Sequence, residues 1–94
     1  MGFLRRWYDN DPRISLAVGC LEKASMPVKI GLAQAIIKKA KSMDIEAKDH
    51  PVIFFRRWYD ENKTLRIAME CFKLAPPLLQ RSMAEYIIAK LTQD

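Results

Sequence analysis

The apolar and polar positions along the chain fall into stripes that recur. Apolar side chains stand at Ile14, Ala17, Val18 and Leu21, with Ser15, Gly19 and Glu22 on the opposite stripe. That spacing is one face of an α-helix. A longer stripe follows at Val28, Leu32, Ala33, Ile36, Ile37 and Ala40, again a strong amphipathic helical pattern. Both recur later, first as Leu65, Ala68, Met69 and Phe72, then as Leu79, Met83, Ala84, Ile87, Ile88 and Leu91. Ahead of each pair stands a shorter aromatic segment, with Phe3, Leu4, Trp7 and Tyr8 matched by Phe54, Phe55, Trp58 and Tyr59. Its i, i+1, i+4, i+5 spacing predicts a short helix over Phe3–Asp9 and over Pro51–Asp60. By propensity Val52–Phe55 also suits a strand, so both conformations stay open there.

Breaks between these stripes are chemically marked. Asp11 and Asn62 precede the second stripe of each half, and both are N-cap types whose side-chain oxygens accept free backbone N–H groups. Pro12 follows its cap at the first helical position, where a missing donor costs nothing. Ser25-Met26-Pro27 and Pro76-Pro77-Leu78 divide the second helix from the third.

The recurrence is register-exact. A shift of 51 residues lays Phe3–Ala40 over Phe54–Leu91 without a gap, with 13 identities in 38 pairs. Ordinary residue frequencies give on the order of two or three. Arg5-Arg6-Trp7-Tyr8-Asp9 returns whole as Arg56-Arg57-Trp58-Tyr59-Asp60, and Cys20 is matched by Cys71. The expected fold is therefore all-α, a tandem duplication of a three-helix unit. Repeat 1 covers about 3–43, a polar linker about 44–50 and repeat 2 about 51–94 of one domain. A copy of ~45 residues is near the lower limit for a self-sufficient core. The copies should then share one core as a compact pseudo-two-fold six-helix bundle, with short links placing consecutive helices as antiparallel neighbours. Paired helices opened by prolines resemble HEAT-type repeats, but the period of 51 and the count of two depart from that pattern, and no functional residue carries across.

Composition changes this picture little. Half of the residues are hydrophobic and 29% are charged, an ordinary globular balance. No apolar run approaches the ~20 residues of a membrane span, and Met1–Asp11 carries no apolar leader segment. Gly2 is followed by Arg6 where a myristoylation signal needs Ser or Thr. These features point to a cytoplasmic protein with no membrane partner. The net charge of +5 is spread over both halves, which permits an acidic or nucleic-acid partner without requiring one.

Candidate chemistry is sparse. The only histidine, His50, lies in the linker, and Cys20 and Cys71 have no companion ligands at metal spacing, so the sequence implies no metal and no cofactor. No nucleophile has a base beside it, no carboxylate pair is set for acid–base work, and there is no glycine-rich phosphate loop, so an enzyme is not expected. Both thiols are expected to be buried and reduced. The pentads remain. Their arginines could hold phosphates or carboxylates while the indoles stack on a flat ligand. The leading reading is structural: Trp7 and Trp58 anchor the short helix while Arg5–Asp9 and Arg56–Asp60 pair at i, i+4. Lys38, Lys39 and Lys41 add a basic cluster at a helix C-terminus. Candidate partner-binding residues are thus Arg5, Arg6, Trp7, Arg56, Arg57, Trp58, Lys38, Lys39 and Lys41. The leading expectation is a module that binds another protein or itself. A nucleic-acid binder, or an accessory subunit of an enzyme, is the alternative.

Overall fold

A computed structural model describes residues 6–49 and 57–92. Its helices are α1 (Pro12–Lys23), α2 (Met26–Ser42), α3 (Lys63–Leu74) and α4 (Pro77–Leu91). A single 3-10 turn precedes each half, Trp7–Asn10 before α1 and Trp58–Glu61 before α3. The described residues are all-helical, with no strand among them. Among the described residues there are four α-helices where six were expected in the chain, and the described part of each pentad forms a 3-10 turn. Phe3, Phe54 and Val52–Phe55 lie outside the described residues.

Local chemistry accounts for the shortened first element. Asp11 and Asn62 are extended (φ −131° in both), and each folds its side chain onto the helix that follows. Asp11 accepts from the amides of Arg13 (2.8 Å) and Ile14 (3.4 Å), and Asn62 accepts from that of Leu65 (3.1 Å). A cap that starts a new helix there cannot also continue the old one. Pro12 removes a donor besides.

The expected apolar stripes are the core. Ile14, Ala17, Val18 and Leu21 are buried, as are Leu65, Ala68, Met69 and Phe72. In α2 and α4 the stripe is buried at Leu32, Ala33, Ile36, Met83, Ala84 and Ile87, whereas Val28 is exposed. The radius of gyration, 12.7 Å, matches the roughly 12 Å of a compact chain this size.

Packing partners differ from expectation. Consecutive helices are not the main neighbours: α1 packs chiefly on α4, and α2 on α3. The links explain this. Ala24 and Ala75 both run extended (ψ 159° and 144°), and so do Ser25 and Pro76. Proline also disfavours helical backbone in the residue before it, which favours the extended form at Ala75 and Pro76. Each half therefore supplies one helix to each of two interfaces. The N-terminal end of α1 is held against the body of α4 by Arg81–Asp11 (2.7 Å) and Arg13–Glu85 (2.6 Å).

The linker is also more than a tether. Asp44 takes a left-handed conformation (φ 60°) after α2. Ile45 N–H then returns to Ala40 O (2.9 Å) and Asp44 N–H to Lys41 O (3.0 Å). This is the Schellman arrangement, which reverses the chain at a helix end. Ile45 and Ala47 consequently pack against the core, and Asp49 receives Arg66 Nε and Nη2 at 2.8 and 3.1 Å.

Candidate functional site

The fold brings the two pentads together. Arg6, Trp7, Tyr8, Arg57 and Tyr59 line one cavity of about 200 Å³. In each turn the aspartate closes a clasp on the arginine three residues before it. Asp9 accepts from Arg6 N (3.2 Å) and Nε (3.0 Å), and Asp60 from Arg57 N (2.9 Å) and Nε (3.0 Å). The i, i+4 pairing expected through Arg5 and Arg56 falls outside the described residues, and the pairing among them is i, i+3 through Arg6 and Arg57. The 3-10 geometry is the reason, since it eclipses residues three apart.

Above each clasp the guanidinium lies on a tyrosine, Arg6 4.8 Å from the Tyr8 ring and Arg57 4.7 Å from the Tyr59 ring. Arg57 also donates to Tyr59 Oη at 3.2 Å. Burial pushes the Tyr8 phenol above its ordinary range, and the positive charge of Arg6 partly opposes this. The tyrosines are the buried members, at 7% and 3% exposure. Trp7 and Trp58 were the expected anchors, yet both are only half-buried. Trp7 packs 5.3 Å from Phe72, and Trp58 is overlaid by Lys29 Nζ at 5.3 Å. Trp58 Nε1 is buried without a hydrogen-bond partner among the described residues. An indole reading a ligand edge would instead present that donor to solvent. The Arg57 fork is shared between carboxylate and phenol, and the more exposed Arg6 fork meets its carboxylate.

The clasps differ in depth. Asp60 has a side chain only 2% exposed, against 25% for Asp9. Asp60 O further accepts from Arg66 Nη1 at 2.7 Å. Ser15 stands where Arg66 does in the other half.

The lysine cluster is divided. Lys38 and Lys39 border a hollow of about 320 Å³ with Ala35, Ser42 and Tyr86. Lys39 and Lys90 place their ammonium groups 4.8 and 5.6 Å from the Tyr86 ring. Lys41 lies on another cavity, of about 410 Å³, with Ile37, Ile67, Cys71 and the linker. Tyr86 and Lys90 stand four residues apart on α4, and sequence reasoning missed them because they meet Lys39 of α2 only across the α2–α4 contact.

The cysteines also diverge. Cys71 is 1% exposed, and burial pushes its thiol up, with the backbone of Ala47 partly opposing. Cys20 is only half-buried, against expectation, and both are free thiols. Among the described residues no group of three or more His, Cys, Asp or Glu is placed to hold a metal. No helix among them is long and apolar enough to cross a membrane. Comparison with family models, curated proteins and solved structures gave no match.

Proposed function

We propose that the chain is a duplicated, pseudo-two-fold, non-enzymatic module of the cytoplasm that binds another protein or a second copy of itself. The 51-residue correspondence of caps, links and pentads supports the duplication. The binding role rests on one observation. The α3–α4 corner leaves Leu78 86% exposed and Leu74 57% exposed, flanked by exposed Pro76 and Pro77. The matched α1–α2 corner exposes Met26 and Val28. Clustered large apolar side chains at solvent mark interaction surfaces, whereas scattered ones do not. Leu74→Asp with Leu78→Asp should leave folding intact and remove nuclease-resistant partners, or the concentration-dependent mass in sedimentation. Unchanged association in that variant would refute the reading.

A second reading has its own observation, the three lysines around Tyr86. Cations flanking a half-buried aromatic at the surface suit a single-stranded nucleic acid, with phosphate on lysine and a base on the ring. Lys39→Ala with Lys90→Ala should then weaken binding and flatten its salt dependence. No retardation of single-stranded probes at low salt would remove this reading.

A further inference from the structure

The two helix–helix interfaces are built from matching residues but finished differently. On the α2–α3 side, Ile37, Ile67 and Cys71 lie beneath the linker, whose Ile45 and Ala47 pack down while Asp49 is held by Arg66. The matching positions on α4 and α1 are Ile88, Leu16 and Cys20. There Leu16 is 48% exposed, and Cys20 is half-buried where Cys71 is sealed. A leucine half open to water beside a partly open thiol is what the α2–α3 face would show without Ile45–Asp49. We infer that the α1–α4 face is a docking groove for an extended peptide segment carrying an aliphatic residue and, two positions on, a small one. The inference rests on reading the halves as copies.

The chain's own linker defines the chemistry of the occupant. In an extended segment, residues two apart point the same way, so Ile45 and Ala47 share the buried side while Glu46 and Lys48 face water. The seated segment is acidic on balance, with Asp44, Glu46 and Asp49 against Lys48. Charge favours the same sense in the open groove, since exposed Lys23 follows Leu16 and Cys20 on one face of α1. Ser15 replaces Arg66 there, so no carboxylate is needed at the position of Asp49.

Cys20 provides the test, because the occupant's small residue should lie beside it as Ala47 lies beside Cys71. A peptide of residues 43–49 carrying Ala47→Cys, supplied as a mixed disulfide, exchanges onto Cys20 of the full chain and releases its small thiol. Seated in the groove, it should resist at least about tenfold more competing thiol than a shuffled peptide, the equivalent of ~1.4 kcal/mol. Leu16→Asp, at an exposed position, should erase that advantage. Equal retention of the shuffled peptide, or indifference to Leu16→Asp, would overturn the inference. A parallel arm tests the precedent: Ile45→Ser in the intact chain should speed labelling of Cys71. Faster Cys71 labelling without peptide retention defeats the open groove alone. Unchanged Cys71 labelling defeats the correspondence on which the groove rests.

Discussion

Replacing Asp60 by alanine removes the acceptor at the centre of the second pentad turn while leaving its counterpart, Asp9, as an internal control. Asp60 takes the Arg57 amide and guanidinium from a site only 2% exposed, whereas Asp9 does the same at 25% exposure beside an arginine that is 64% exposed. Losing the amide bond at a helical N-terminus costs about 1 kcal/mol. Losing buried charge-assisted bonds adds about 1.5–3 kcal/mol, since little water can reach the groups left behind. Asp60→Ala should thus cost roughly 2–4 kcal/mol. Asp9→Ala should cost roughly 1 kcal/mol, because an exposed ion pair adds little beyond the cap. The difference, about 2 kcal/mol, corresponds to about 8–16 °C in Tm for a domain of this size. Circular-dichroism melts of the two variants measure it directly. Melts that fall by the same amount would refute the claim that burial sets the worth of each clasp.

Other expectations follow from single observations. Cys20 should react with a thiol reagent well before Cys71, which is buried with its thiol pushed up; equal rates would show that the linker does not seal α2–α3. The Asp11 carboxyl is held below its ordinary range first by its hydrogen bond from Arg81, and that of Glu85 first by its bond from Arg13. A carboxylate depressed on folding contributes above its unfolded value, about 4, and loses that contribution as pH falls through the folded value. The unfolding midpoint should therefore drop on acidification below that range, less steeply in an Arg13→Ala, Arg81→Ala variant; identical acid profiles would contradict the pairing. Phe72→Ala, at a fully buried position, should cost about 3–5 kcal/mol. Leu78→Asp should change stability by less than about 0.5 kcal/mol, and urea melts compare the two.

Much of the helical scaffold was legible because periodicity and capping are local. The stripe at Ile14, Ala17, Val18 and Leu21 names a buried face without reference to the rest of the molecule, and Asp11 and Asn62 mark where α1 and α3 begin. Which face meets which was not legible. A stripe records burial but not partner, and the exchange of α1 onto α4 depends on the extended backbone at Ala24-Ser25 and Ala75-Pro76. The pentad misled for a related reason. Its spacing fits a helix, yet its described part is a 3-10 turn, and that turn buries Tyr8 and Tyr59 more deeply than the tryptophans. A signal for the linker was present in Ile45-Glu46-Ala47-Lys48, whose alternation is that of a half-buried extended segment. It is short and set among charges, and its reversal depends on Asp44 taking a conformation usually left to glycine.

Each half holds one side of both interfaces, so neither has a core of its own. Producing residues 1–49 and 50–94 as separate chains tests this most directly. Short helices without a packing partner are marginal in water. Each fragment should give a coil spectrum at low concentration, and any helicity it gains should rise with concentration as copies pair. Mixing the two in equal amounts should restore the helical spectrum in a one-to-one complex. A fragment that is helical, cooperatively melting and monomeric by itself would show that one half has a core of its own.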